Sequence, residues 1–264
     1  MRIVRALAAA QTIPKRGDVK ANLDGHMRLI RAAAEEQVRL LVFPELSLTG
    51  YELDLASALA FSENDSRLMP LIESAAAHQM TLIVGAPVRI GPRLYIGAFI
   101  VSPDRSVDLY TKQRLGAFPS DASPDGVVPP PEASIFAAGD RNPLVRFDDH
   151  TAAVAVCADI GRSSHAREAA ERGAGAYLAS VFAIPADLEH DTTTLREYAV
   201  KHGLIVVFAN FGGPSGGLPS GGSSAIISEH GDVVALLEAT GAGLAVAIKD
   251  EQGWRATEVM LDGL

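Results

Sequence analysis

The chain has 264 residues, 48% hydrophobic and 21% charged, the proportions of an ordinary globular protein able to bury a sizeable core. Its 23 Lys and Arg against 32 Asp and Glu give a net charge of −9, which argues against general binding to nucleic acid or to anionic membranes. A single cysteine excludes an internal disulfide and a cysteine-cluster metal site.

The first residues, Met1 to Gln11, faintly mimic a secretion signal, but Arg5 interrupts an apolar run too short for one. Residues 3–11 are predicted to be a strand instead. No run approaches the ~18 apolar residues that cross a bilayer, so a cytoplasmic protein is expected. Residues 18–36 set Leu23, Met27, Leu29, Ile30 and Ala33 at helical spacing. Residues 40–43 form a short apolar strand stopped by Pro44, with Glu45 immediately after. A helix over 68–79 and a buried strand over 81–85 follow. Strands over 93–101 and 107–110 flank Ser102-Pro103-Asp104-Arg105, a hairpin signal, and Lys112 comes directly after the second.

Residues 117–133 are a long loop with Pro119, Pro124, Pro129, Pro130 and Pro131. A lid or rim is expected there rather than a linker, because the alternating pattern resumes unchanged beyond it. Residues 151–156 are small or β-branched and apolar, a buried strand that ends at Cys157. Asp159, Gly161, Ser163 and Ser164 are helix-start residues, opening a helix over 165–172. A strand over 176–180, a helix over 191–202 and a strand over 204–210 come next. Residues 211–223 are rich in Gly and Ser. Strands over 225–227, 233–238 and 244–248 complete the series, the first two joined at Glu229-His230-Gly231-Asp232. Alternating strands and helices with inserted hairpins predict α/β layers, helices outside a mixed sheet or a pair of sheets.

Glu45, Lys112 and Cys157 share one situation, a charged or reactive side chain just past an apolar strand. If those strands lay side by side and parallel, their ends would meet in one crevice. The trio then has a definite chemistry. A thiolate attacks carbonyl or nitrile carbon well, so Cys157 is the candidate nucleophile. Amides at a helix start favour the thiolate. Glu45 would take the thiol proton, its pKa raised by burial, and Lys112 would lower the thiol pKa and stabilise an oxyanion.

At these residues the chain resembles the nitrilase superfamily of carbon–nitrogen hydrolases. Phe43-Pro44-Glu45 with Thr49-Gly50-Tyr51 is similar to the family's glutamate motif. Tyr110-Thr111-Lys112 resembles its lysine motif, and Val156-Cys157-Ala158-Asp159 its cysteine motif. Pro131-Glu132-Ala133-Ser134-Ile135-Phe136 with Gly139-Asp140 resembles the segment carrying its second glutamate, and Gly222 to Ile227 with Gly231 its C-terminal strand pair. The resemblance implies one domain over 1–264, folded as a four-layer α-β-β-α sandwich, with no metal or organic cofactor and a homodimer or larger homo-oligomer. It implies a thiol hydrolase that opens the C–N bond of a small amide through a thioester, with Glu45 as base, Lys112 as oxyanion stabiliser, Cys157 as nucleophile and Glu132 orienting the lysine and substrate. Nitrile and N-carbamoyl substrates are the alternatives. A catalytically silent binding or assembly subunit of the same fold is a reading of another class, and a redox-sensing cysteine a third. Neither membrane nor nucleic acid is an expected partner.

The chain departs from the family where Ala158 replaces an aromatic residue, where Gly161-Arg162-Ser163-Ser164-His165 stands for an Arg-Phe-Pro-Glu run, and where Tyr198-Ala199 stands for Arg-Ala. Ala158 suggests a small, open pocket wall; Tyr51 and Phe182 are candidate substrate contacts. His165 is read as a helix-start polar residue. Gly213-Pro214-Ser215-Gly216-Gly217 matches a serine nucleophile elbow, but Pro219 and a Gly-Ser run follow instead of the required helix. Glu189-His190-Asp191 has no second histidine at metal-binding spacing and reads as a helix cap.

Overall fold

The computed structural model describes residues 5–123, 125–261 and 263, so Ile3, Val4 and Pro124 of the predicted elements lie outside the described residues. In chain order it has β1 (Arg5–Gln11), α1 (Val19–Glu35), β2 (Leu40–Val42), α2 (Ala56–Leu59), α3 (Met69–His78), β3 (Thr81–Ile90), β4 (Arg93–Val101) and β5 (Val107–Thr111). There follow β6 (Leu144–Phe147), β7 (His150–Val156), α4 (Ser163–Glu171), β8 (Ala176–Ser180), α5 (Leu188–His202) and β9 (Ile205–Ala209). The chain ends with β10 (Ala225–Ile227), β11 (Val233–Leu236), β12 (Ala242–Asp250) and β13 (Gly253–Leu261).

The strands form a seven-stranded sheet in the order β13-β12-β1-β2-β3-β4-β5 and a six-stranded sheet in the order β11-β10-β9-β8-β7-β6. Side-chain alternation explains how they stack. Leu7 and Ala9 face the layer between the sheets, in one buried cluster with Val207 and Ala209 of β9 and Ile226 of β10. Ala8 and Ala10 face the other way, onto Leu29, Ile30 and Ala33 of α1 and Leu71 and Ala75 of α3. Ala153 and Ala155 likewise face Ala166 and Ala169 of α4 and Leu195 and Ala199 of α5. Each sheet is covered on both faces, so its central strands read as unbroken apolar runs. The result is a four-layer α-β-β-α sandwich.

The strands carrying the three candidates do not lie side by side. β2 runs parallel to β1 and β3, whereas β4 pairs antiparallel with both β3 and β5. The end of β5 therefore faces the same way as that of β2, with two strands between. β7 belongs to the other sheet, paired parallel with β8. Face-to-face stacking of two sheets, not neighbouring strands in one, is what makes the ends converge.

Four other differences have local causes. β3 continues past Gly85 to Ile90, because its antiparallel register with β4 extends through Pro87, opposite Ile96. β6 and β13 lack a strong apolar pattern, and β13 is mostly exposed at a sheet edge, where polar residues are compatible with a strand. β12 spans nine residues, longer at both ends than its apolar run. Among the described residues no helix is long and apolar enough to cross a membrane.

Candidate active site

Glu45 follows β2 in a tight turn whose backbone is clamped from both sheets. Ser180, the last residue of β8, donates its hydroxyl to the Phe43 carbonyl at 2.8 Å, and the Glu45 amide donates to the Val181 carbonyl at 3.3 Å. Gly85 lets the turn pass: a Cβ there would lie 2.4 Å from the Leu46 nitrogen and 2.6 Å from the Pro44 oxygen. Behind the turn, buried His26 of α1 stacks on Phe43 and bonds the Ser47 hydroxyl at 2.9 Å.

Lys112 leaves the end of β5 and enters the space between the sheets. Its Nζ donates to Glu45 Oε1 at 2.7 Å and to Glu132 Oε1 at 2.8 Å. Glu45, Lys112 and Glu132 are each 1% exposed. Glu132 sits in a short 3-10 turn at the end of the proline-rich loop. Its Oε1 also accepts from the Tyr51 hydroxyl at 2.7 Å, and its Oε2 from the Gly116 amide at 2.7 Å. A buried charge tied by this many bonds has one geometry available to it. The exception is Glu45 Oε2, which is buried and has no hydrogen-bond partner among the described residues.

Cys157 begins a 3-10 turn after β7 with φ of 44°, in the left-handed region. That costs a residue with a Cβ about 1–3 kcal/mol, and such strain persists only where the surroundings impose it. The Tyr198 hydroxyl donates to the Ile160 carbonyl at 2.8 Å and holds the turn against α5; Cys157 Sγ lies 3.7 Å from the Phe182 carbonyl.

The charges act on each other. Burial pushes Glu45 up to about 7, against the pull of Lys112 and with the push of Glu132. Burial works to lower Lys112, but Glu45, Cys157 and Glu132 outweigh it, and the ammonium is held above its ordinary range. Burial, then the Glu45 charge, raises the Cys157 thiol, and Lys112 opposes them. A resting thiol beside a carboxylate that titrates near neutrality suits proton transfer at the moment of attack.

Cys157 opens onto a cavity of about 450 Å³. Tyr51, Glu132, Ala158 and Phe182 line it, together with Arg114, Phe118, Asp187 and Asp191. All seven residues singled out in the sequence therefore gather at one place: five on the cavity wall, with Glu45 and Lys112 bonded behind Glu132. Phe182 is buried, with its ring centroid 5.0 Å from that of Tyr51 and 5.6 Å from that of Phe118. The proline-rich loop contributes Ala117 and Phe118 to the wall. The Gly-Ser stretch backs Tyr51: Ser215 accepts from the Tyr51 amide at 2.8 Å and donates to Glu52 at 3.2 Å, so its hydroxyl is a strut.

Sequence reasoning missed Arg114, Asp187 and Asp191. Asp187 and Asp191 lie one turn apart at the start of α5, and burial raises both, Asp191 to about 6. Asp191 was legible only as part of Glu189-His190-Asp191, a trio the helix divides: Asp191 faces the cavity while Glu189 and His190 are exposed. Among the described residues no group of three or more His, Cys, Asp or Glu is placed to hold a metal ion.

The carbon–nitrogen hydrolase family model matches residues 6–258. A protein described as the hydrolase in the pqqF 5′ region of Pseudomonas protegens is 28% identical over 237 residues, 87% of this chain and 78% of its own length. The glutamine-dependent NAD(+) synthetase of Thermotoga maritima is 26% identical over 233 residues, and this chain spans 38% of that longer protein. Among solved structures, a nitrilase-superfamily amidase from Nesterenkonia sp. AN1 superposes with a TM-score of 0.80 at 25% identity, covering 92% of this chain and 90% of that one. Forms of that amidase hold butyramide, or carry the acetamide moiety of fluoroacetamide covalently at the active-site cysteine.

Proposed function

The chain belongs to the nitrilase superfamily of carbon–nitrogen hydrolases, and on that footing we propose that it hydrolyses a small amide through a thioester on Cys157. The observation that carries this is the buried ion group, Lys112 Nζ bridging Glu45 and Glu132 at 2.7 and 2.8 Å, with the free edge of Glu45 unpartnered and Cys157 in the cavity that Glu132 lines.

Glu45 takes the thiol proton as Cys157 attacks the amide carbonyl carbon. The C=O pair moves onto oxygen, and the Lys112 ammonium stabilises that charge in a dry setting where it is strongest. Collapse breaks the C–N bond, and the Glu45 proton goes to the departing nitrogen, which leaves as ammonia or amine. Glu45 then takes a proton from water as the water oxygen attacks the thioester carbon; collapse breaks the C–S bond, the carboxylic acid leaves, and the proton on Glu45 returns to sulfur and restores the thiol. Glu132 and Tyr51 hold Lys112 in place throughout.

An amide is favoured over a nitrile by the likeness to an amidase with an amide bound, and a homodimeric or larger assembly belongs to the same proposal. An acidic wall at Asp187 and Asp191 favours neutral or positively charged amides over carboxylated ones. Ammonia release from a panel of amides, N-carbamoyl compounds and nitriles tests the reading, run beside a Cys157→Ala variant. Release from small amides by the parent protein alone is expected. No release from any amide, or equal release by both proteins, contradicts it. Static light scattering that finds a monomer at all concentrations contradicts the assembly.

A further inference from the structure

Asp159 lies two residues past Cys157 and takes part in no step above. It is fully buried, and among the described residues no cation pairs with it. Four neutral donors hold it instead. Oδ1 accepts from the Gln113 amide at 3.2 Å and the Arg114 amide at 2.7 Å. Oδ2 accepts from the Val156 amide at 3.1 Å and the Tyr110 hydroxyl at 2.7 Å. Those donors lie beside two residues in the chain. Val156 immediately precedes Cys157, and Tyr110 and Gln113 stand on either side of Lys112 in the chain. One carboxylate thus grips the nucleophile turn of one sheet and the lysine segment of the other.

A buried relay stands behind it. The Tyr110 oxygen lies 3.0 Å from His165 Nε2, and His165 Nδ1 lies 2.9 Å from the Tyr177 hydroxyl. The carboxylate accepts only, so Tyr110 donates to it. The same oxygen then accepts from His165 Nε2–H, which leaves Nδ1 to accept from Tyr177. Every bond in the series Tyr177, His165, Tyr110, Asp159 points one way, towards the charge, and aligned bonds of this kind strengthen one another. Burial favours the neutral imidazole that this assignment requires.

We infer that Asp159 is a positioning residue that sets the separation of Cys157 and Lys112, and that Tyr110 and His165 hold it in register. The inference rests on Cys157 and Lys112 acting as proposed above, but its test needs no amide substrate. Cys157 is the only thiol, so its alkylation by iodoacetamide, followed by mass between about pH 5 and 9, reports the nucleophile directly. Asp159→Asn turns an amide NH2 toward donors, and Tyr110→Phe removes one oxygen and leaves the three backbone bonds to Asp159. With native circular dichroism, both variants are expected to alkylate about tenfold more slowly near neutral pH; in Tyr110→Phe, which keeps the Asp159 charge, the profile is also displaced upward as Lys112 loses its register with the thiol. His165→Phe should follow Tyr110→Phe, whereas His165→Gln, which keeps a donor and an acceptor, should stay within about threefold of the parent. A merely structural role would lower thermal stability without moving the profile.

If Asp159→Asn does not fold, Tyr110→Phe carries the test alone. A folded Tyr110→Phe protein with the parent's rate and profile overturns the inference. Ammonia release that survives Cys157→Ala overturns the active-site reading instead, and the two failures are thereby distinguished.

Discussion

The floor and the rim of the cavity are built on different terms. At the floor, Glu45, Lys112, Glu132 and Tyr51 are buried, and all their side-chain polar atoms but Glu45 Oε2 are bonded to one another or to backbone. At the rim, Arg114 is exposed, Asp187 and Asp191 are half-buried with raised pKa values, and Ala158 leaves the wall low. The floor tolerates one geometry because each of its charges depends on the others for solvation. The rim carries charges that water still solvates, so each can be replaced without loss of the fold. On the proposed reaction, the floor carries the chemistry and the rim the choice of substrate.

Lys112→Met strikes the floor hardest. It leaves two buried carboxylates without their cation, and is expected to lower turnover by about 10³-fold or more and to cost about 3–5 kcal/mol of stability. Steady-state ammonia release and urea denaturation measure the two losses; a variant as stable and active as the parent would erase the distinction between floor and rim. Glu132→Gln keeps the shape but weakens the hold on Lys112, and about a hundredfold loss in kcat is expected with the fold intact.

Two pH effects sharpen the same contrast. With Glu45 as the proposed base and its pKa pushed up to about 7, kcat/KM should be flat above that pH and fall about tenfold per unit below it. An acid limb near 4.5 would place the carboxylate in ordinary solvent and contradict its burial. His26 backs the Glu45 turn from α1, and burial lowers it to about 4 despite its bond to Asn22. A histidine depressed below its unfolded value of ~6.5 contributes stability that is complete above that pH and lost as pH falls toward 4, up to about 3 kcal/mol. Urea midpoints at pH 7 and pH 4.5 test this, with a His26→Gln variant expected to lose less between them.

The rim gives the smallest effect. Asp191→Asn should leave kcat/KM for a neutral small amide within about threefold while cutting the preference for a cationic over an anionic amide about tenfold. An unchanged preference would remove the acidic wall from substrate choice.

The same division explains what could be read from the amino acids. Glu45, Lys112 and Cys157 were legible because each directly follows an apolar strand, and Glu132 through its flanking motif. Their meeting place was not, because β2 and β5 share one sheet and β7 belongs to the other, and strand patterns carry no information about which sheets stack. Asp187 and Asp191 escaped notice for a related reason. Acidic residues at a helix start are common on electrostatic grounds alone, and only the docking of α5 decides that these two face the cavity. Asp159 stood in plain view beside the cysteine, yet its partners Gln113 and Arg114 are more than forty residues away.

The proposed reaction passes through a covalent bond between substrate carbon and Cys157. Acid-quenching the protein during turnover of a small amide and weighing the Cys157 peptide tests it most directly. The expected result is an acyl adduct on that peptide which disappears as the amide is consumed and is absent with Cys157→Ala. Steady ammonia release with the peptide unmodified at every time, and undiminished in Cys157→Ala, would contradict it.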